Sequence, residues 1–303
     1  MKIVRDDSFS TGEAECFALG SKLEVDDIVF DTGGGGTNAA VSFARQGLHT
    51  GYIGKIGAFD ARGREILTAL RTEGVDVRGV VKDKRRMTGY SVLLLTARGE
   101  RTVLVYRGAS ADIAPSDLVG KKLSAQWIYV TSLGGRLDTI RKIWKLAALT
   151  GASIAWNPGA GELAHGFDRL RPFIAQVGML TINQEEAAKL LGYTRHQDIG
   201  VFQVLRSHVR GITLLTQGTE GALAGFRQNT WHSGTRQVHV VDTTGAGDAF
   251  GSGFIGAYIR TNNIPQAMVF ATANAESVIQ HIGAKPGLLR TRRAHSAVPI
   301  TKI

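Results

Sequence analysis

Asp248 closes the string Asp242-Thr243-Thr244-Gly245-Ala246-Gly247-Asp248, a spacing that sets a carboxylate beside a turn with almost no side chains. Backbone N–H groups at Gly245, Ala246 and Gly247 can therefore approach an anion closely. Ala249 to Ile259 is uncharged and largely apolar, which predicts a buried helix starting near Asp248. Its N-terminal N–H groups would add a positive dipole end at the same spot. This combination suits phosphoryl transfer: the carboxylate takes the proton of an attacking hydroxyl while the nest neutralises the transferring group. Taken alone, Gly-x-Gly-Asp reads more readily as a strand–turn–helix junction in which Asp242 and Asp248 only cap backbone.

A second cluster is Gly33-Gly34-Gly35-Gly36-Thr37-Asn38. Successive glycines let backbone lie against a small polar ligand, and Asn38 offers both donors and an acceptor to a hydroxyl-rich molecule. Asn38 to Gln46 predicts a helix that Gly47 stops. The dinucleotide fingerprint Gly-x-Gly-x-x-Gly is not met, because no third glycine falls at the required spacing.

Together the two clusters resemble the signatures of the ribokinase (PfkB) family of carbohydrate and nucleoside kinases. Asp242 to Phe250, followed by Gly251-Ser252-Gly253-Phe254, is similar to the C-terminal signature, and the glycine run to the N-terminal sugar-binding pattern Gly-Gly-Lys-Gly-Ala-Asn. The chain departs from that pattern at Gly35, where it often has lysine. The resemblance implies ATP-dependent transfer to a hydroxymethyl group of a sugar, with magnesium. Asp248 would be the base; Gly245, Ala246 and Gly247 would hold the phosphoryl charge; Gly34, Asn38 and Asp248 would hold the acceptor. A nucleoside kinase and a catalytically silent sugar- or nucleotide-binding protein are the alternatives.

Further family elements fall on the nucleotide side. Asn183-Gln184-Glu185-Glu186 matches Asn-x-x-Glu, which implies that Asn183 reaches phosphate and Glu186 reaches magnesium through water. Alone, this is an N-cap with acids in a first helical turn. Thr216-Gln217-Gly218-Thr219-Glu220-Gly221 resembles the Thr-x-Gly-x-x-Gly loop of the ATP site, giving Thr216, Gly218 and Gly221. Asn274 sits where relatives approach adenine. Asp242 and Thr244 match positions on a monovalent-cation loop, which implies potassium.

These residues must be positioned by an alternation of strands and helices, the pattern of a parallel sheet covered on both faces. Strands are expected at Tyr52–Ile56, Trp127–Val130, Ser153–Trp156, Met179–Ile182, Ile212–Leu215 and Val238–Val241. Helices are expected from Asp60 to about Glu73, stopped by Gly74, and around Leu137–Leu149 and Gln184–Leu191. Open sheets of this kind bind ligands at the C-terminal strand edges. Residues 13–30 and 88–106 carry β patterns with no helix between, and Arg98-Gly99-Glu100 reads as a hairpin turn. The resemblance makes these, over about 13–31 and 88–107, a small β lid and a candidate homodimer surface on a ribokinase-like three-layer α/β/α sandwich. The chain is expected to be one kinase domain over 1–303, with a loosely held tail from about 290.

The start departs from the family. Relatives begin with a strand ending in glycine and a substrate-binding aspartate, whereas Asp6 and Asp7 follow too short an apolar stretch, so that first strand is expected to be missing. At 303 residues and 43% hydrophobic, the chain can bury a large core. No apolar run is long enough for a bilayer, and the start lacks a secretory pattern. Cys16 is the only cysteine, which excludes an internal disulfide and fits a reducing cytoplasm. The net charge of +10 is dispersed, with clusters at residues 82–86 and 290–293 and no nucleic-acid signature, so a surface that attracts nucleotide phosphates, or simply solvated charge, is expected rather than specific nucleic-acid binding.

Overall fold

The computed structural model describes residues 2–6, 8, 12–95, 101–120, 124–193, 198–291 and 298–303. They fall into two units, one formed by residues 1–31 and 91–106 and the other by 32–90 and 107–303. In chain order the first half carries β1 (Lys2–Arg5), β2 (Glu13–Cys16), α1 (Gly35–Arg45), β3 (Lys55–Gly57), α2 (Ala61–Thr72) and β4 (Val81–Asp83). There follow β5 (Tyr90–Leu95), β6 (Arg101–Tyr106), β7 (Trp127–Val130), α3 (Leu137–Thr150), β8 (Ser153–Trp156), α4 (Ala160–Leu163) and α5 (Phe167–Ile174). Next come β9 (Met179–Asn183), α6 (Gln184–Leu191), α7 (Asp198–Ser207), β10 (Ile212–Thr216), β11 (Ala222–Phe226) and β12 (Asn229–Ser233). The chain closes with α8 (Ala246–Thr261), α9 (Ile264–Val278) and β13 (Ile300–Lys302).

In the larger unit a seven-stranded sheet runs β13-β12-β11-β10-β9-β8-β7. It is parallel from β7 to β10 and antiparallel from β10 through β11 and β12 to β13. Period-2 alternation sends side chains to opposite faces. Ile154, Trp156, Leu180, Ile182, Leu215 and Leu223 join the buried residues of α3, α5, α6 and α7. Ala155, Met179, Ile212, Leu214, Ala222 and Ala224 join those of α8 and α9. The result is the expected three layers. Each fully buried aromatic or branched side chain contributes about 1.5–3 kcal/mol, and the largest, Trp156, Phe202 and Phe254, lie on both faces.

Local chemistry sets the helix ends. Asp60 accepts from Gly63 N at 2.6 Å and caps α2, and Gly74 beyond it has φ +78. Gly47 stops α1 as expected, with φ +81. The helix begins three residues before the expected Asn38, at Gly35, because Gly34 serves as its N-cap.

Several expectations are corrected. Val238–Val241 is not a strand: Val241 N bonds instead to Ile279 O at 2.8 Å, and Val240 and Val241 have no ladder partner among the described residues. The strand expected at Tyr52–Ile56 is shifted to Lys55–Gly57 and pairs with β4 in its own two-stranded parallel sheet. The end of the chain is not a loose tail over its described residues. Val298 is buried, and Ile300–Lys302 is laid against β12. The smaller unit contains the antiparallel pair β1–β2 and the sheet β5–β6. The hairpin turn expected at Arg98-Gly99-Glu100 lies outside the described residues, as does Asp7. Every strand of the seven-stranded sheet comes from Trp127 onward, and Lys2–Arg5 pairs with Glu13–Cys16.

Candidate active site

Gly245 is the N-cap of α8, in the left-handed conformation at φ +80. A side chain there would be strained by the backbone and would meet Ala284, whose Cβ lies 2.4 Å from where a Cβ would stand. Only glycine fits. Gly247, by contrast, has open space where a side chain would point. The N-terminal N–H groups of the helix Ala246–Thr261 therefore meet at an uncluttered turn, the arrangement that receives an anion. Asp242, buried just upstream, shapes this turn. Its Oδ1 accepts from Thr244 N at 2.8 Å and its Oδ2 from Gly283 N at 3.0 Å.

Asp248 lies in the first turn of α8 and meets Asn38 from α1. Asn38 Nδ2 donates to Asp248 Oδ2 at 2.8 Å, so two motifs separated by 210 residues share one hydrogen bond. Asn38 is 3% exposed, and its Oδ1 has no hydrogen-bond partner among the described residues. A buried polar atom without a partner is costly, which makes it a natural place for a ligand hydroxyl. Burial pushes the Asp248 carboxyl up, while the Asn38 hydrogen bond and the Lys285 ammonium hold it down. Gly34 has φ +99 and open space on its side-chain side, as an acceptor wall requires.

Gly35 has the opposite surroundings. A Cβ there would stand 2.8 Å from Thr131 Oγ1 and 3.0 Å from Asp248 Oδ1. The departure from lysine at this position thus matches a wall with no room for a side chain. The same contacts place Thr131, just after β7, beside Asp248; the sequence reading missed it. Tyr129 was also missed. Its phenol is raised by burial and then by the charge of Asp248, and its Oη has no partner among the described residues. Tyr52 backs Gly36 with a ring carbon 3.2 Å from where a Cβ would stand, and burial pushes its phenol up to about 12.

Most of the residues expected on the nucleotide side gather at the C-terminal ends of β9 and β10. Parallel pairing sets Asn183 directly opposite Thr216. Asn183 caps α6, accepting from Glu186 N at 2.8 Å, and Glu186 Oε2 accepts in return from Asn183 N at 3.1 Å. Burial raises the Glu186 carboxyl. Gly218 opens a single helical turn and Gly221 closes it, with φ +59 and +97, and Gln217 N bonds back to Gly221 O at 2.8 Å.

Asn274 is not brought to this group. It is fully buried; Nδ2 donates to Ala249 O at 2.7 Å and Oδ1 accepts from Leu289 N at 2.8 Å. Each end of the amide makes one hydrogen bond, joining α9 to α8 and to the segment after it. No helix among the described residues is long and apolar enough to cross a membrane.

Comparison with known proteins shows which family the chain belongs to. Aminoimidazole riboside kinase of Salmonella typhimurium is 31% identical over 261 residues, covering 81% of this chain and 79% of that protein. Fructokinase of Klebsiella pneumoniae is 32% identical over 270 residues, covering 83% and 84%. A crystal structure of aminoimidazole riboside kinase from Salmonella enterica, complexed with aminoimidazole riboside and an ATP analogue, superposes with a TM-score of 0.71. That structure is 26% identical and covers 86% of this chain and 90% of its own. A family match described as pfkB family carbohydrate kinase extends over residues 9–291, nearly the whole length, and the chain belongs to that family.

Proposed function

We propose that this ATP-dependent carbohydrate kinase phosphorylates a hydroxymethyl group on a furanose sugar or riboside, with Asp248 as general base. The observation that carries the reading is the Asn38–Asp248 pair, with Asn38 Oδ1 left for a ligand hydroxyl at the open N-terminus of α8. The acceptor oxygen bonds to the γ-phosphorus of ATP, its proton passes to Asp248, and ADP leaves with the electron pair of the broken bond. Backbone N–H groups at Gly245, Ala246 and Gly247 hold the charge on the transferring group. A carboxyl raised by burial takes up that proton more readily than an ordinary one. Gly34 and Thr131 complete the acceptor wall.

Asn183, Thr216, Gly218 and Gly221 are proposed to hold ATP, and Asn274 to support α8 rather than touch the base. Magnesium supplies charge neutralisation on the phosphate oxygens. Glu186 would reach it through water, since one of its oxygens already accepts from Asn183 N. The turn clasped by Asp242, together with Thr244, is proposed as the potassium-responsive element. The smaller unit is proposed as lid and homodimer surface. Its support is Val92, Val103, Leu104, Val105 and Tyr106, all exposed on the sheet β5–β6.

The test is a coupled-enzyme screen of fructose, ribose, fructose phosphates, adenosine and aminoimidazole riboside, with and without potassium. Turnover of a furanose or riboside substrate is expected. ATP binding with no turnover of any acceptor would leave a silent binding protein instead.

A further inference from the structure

Between β8 and α5 lies a segment on which the sequence reading placed no role. Asn157 N donates to Val130 O at 2.8 Å, just past the paired ends of β7 and β8. Glu162 follows in α4 and is completely buried. One of its oxygens accepts from Gly159 N at 2.9 Å and closes the start of its own helix. The other does what a cap does not require. It reaches the segment between β7 and α3, accepting from Leu133 N and from Gly135 N, both at 2.8 Å. His165 Nε2 adds a bond to Gly135 O at 2.7 Å. A carboxylate at this depth is costly unless its lone pairs are filled. Here backbone N–H groups from two separate loops fill them.

The two loops meet backbone to backbone. Gly135 has φ +81, and a Cβ there would stand 2.7 Å from Gly161 O; a Cβ on Gly161 would stand 2.8 Å from Gly135 N. Ser132 lies against Gly159, where a Cβ would be 2.5 Å from the serine Oγ. With so few side chains between them, the register of the loops falls to Glu162. Two residues before Leu133 stands Thr131. Its Oγ1 and Asp248 Oδ1 border one point, 2.8 and 3.0 Å from where a Gly35 Cβ would stand. Thr131 Cγ2 is likewise 3.4 Å from the Cβ position of Gly36. Strand β7 therefore fixes one end of residues 131–135, and Glu162 fixes the other.

Building on the kinase reading above, we infer that Glu162 is a positioning residue for the sugar acceptor. By holding Leu133 and Gly135 it sets Thr131 against Asp248 and the glycine run. Being fully buried, it touches neither sugar nor ATP itself. A carboxylate suits the task because both of its ends accept, so Gly159 on one side and Leu133 with Gly135 on the other are satisfied together. Glutamine offers an oxygen at one end only and turns an NH2 toward a donor at the other. Two donors against one decide that its oxygen stays with Leu133 and Gly135. Placement matters because a positioning group displaced by about 1 Å can cost about a hundred-fold in rate. The residues proposed to hold ATP stand at the ends of other strands, β9 and β10, so ATP affinity should not follow the acceptor's.

The deciding experiment compares wild type, Glu162→Met and Glu162→Gln, each alone and combined with Thr131→Val. Calorimetry measures ATP and the tightest binder among fructose, ribose, adenosine and aminoimidazole riboside, and every variant is also melted. Glu162→Met should weaken acceptor binding roughly ten-fold with the ATP Kd unchanged, and glutamine should recover most of that loss. Both variants lose the Gly159 bond, so Tm should drop in both. Acceptor affinity and Tm then part company, which a merely structural carboxylate would not produce. In the Thr131→Val background the methionine effect should shrink to about three-fold or less, because it acts through Thr131. Amide hydrogen exchange at Leu133 and Gly135 should quicken with methionine and stay slow with glutamine. Should the methionine variant fail to fold, His165→Ala removes the second hold on Gly135 and carries the same expectation at smaller size. An undiminished effect in the Thr131→Val background would overturn the inference, as would a parallel loss of ATP affinity or an acceptor affinity that tracks Tm. Acceptor binding without turnover in wild type would sink the kinase reading alone, because the binding titrations still decide the place of Glu162.

Discussion

The residues around Asp248 and those at the ends of β9 and β10, proposed here as acceptor side and nucleotide side, are built on opposite plans. Around Asp248 the polar groups are buried and incompletely satisfied: Asn38 Oδ1 and Tyr129 Oη lack partners among the described residues. At the ends of β9 and β10 the polar groups are more exposed and already bonded to one another, Asn183 with Glu186 in a reciprocal cap. A buried site with partners missing is pre-organised, and its ligand replaces interactions that water cannot supply. A bonded, exposed site offers its ligand mainly backbone and loop, at little cost to the free protein. On the proposed assignment of the two groups, acceptor recognition is expected to be rigid and selective and nucleotide recognition adaptable.

The largest test of that contrast is Asp248→Asn. Turnover should fall by about two to four orders of magnitude, the usual effect of losing a general base, with ATP affinity nearly unchanged in a direct titration. Near-normal turnover would remove Asp248 from the mechanism. The same variant sharpens the account of burial. Because the folded carboxyl is raised, the native state holds its proton to higher pH than the unfolded chain. Its stabilising contribution is therefore full at low pH and is lost as pH rises through the folded pKa. The asparagine variant escapes that loss, so thermal melts near neutral pH should show the inactive protein at least as stable as wild type. A clearly lower Tm would show the ionised carboxylate to be well compensated.

Next in size is Asn38→Ala, expected to raise the acceptor KM by about ten-fold or more while ATP affinity holds. Gly34→Val should obstruct the same wall, with added backbone strain at φ +99. Calorimetric titration showing that both variants lose ATP but keep sugar would exchange the two sides of the site.

Smaller still is Asn183→Ala. Loss of an N-cap costs about 1 kcal/mol, and the nucleotide KM should rise together with a modest drop in Tm. If only Tm moves, Asn183 is a cap and nothing more. The pH profile of wild-type kcat/KM should have its acid limb above the ordinary carboxylate range, because burial raises Asp248. A limb at the ordinary carboxylate pKa would argue for a solvated base. The least change is expected from replacing potassium with sodium, which should lower turnover severalfold if the Asp242–Thr244 turn responds to the ion.

Much of the scaffold could be read directly from the chain because its signals are local. Asp60 and Gly74 bracket α2, Gly192 has φ +77 after α6, and apolar runs mark β7 to β10. The antiparallel strands were harder. β11 and β12 contain Ala, Gly, Asn and His with little β-type composition, and β13 pairs with residues some seventy positions earlier. Val238–Val241 has strand-like composition but no neighbour to pair with, because the polypeptide there is held by Ile279 instead. The site divides in the same way. Asp248, Asn38 and Asn183 lie in short motifs, while Thr131 and Tyr129 acquire their places only through tertiary packing. Asn274 shows what a motif position leaves out: its amide also makes packing bonds to Ala249 O and Leu289 N, which no local pattern announces.

The left-handed Gly245 seated on Ala284 also limits how this sequence can drift. The two positions lie 39 residues apart by number, yet their space is held in common. A bulkier residue at 284 would press on a turn that is already at its minimum, and no replacement at 245 could retreat to make room. Neither change is repaired by the other. Neutral variation should therefore pass around this pair, leaving an alanine outside the main signature as strictly inherited as the glycine within it.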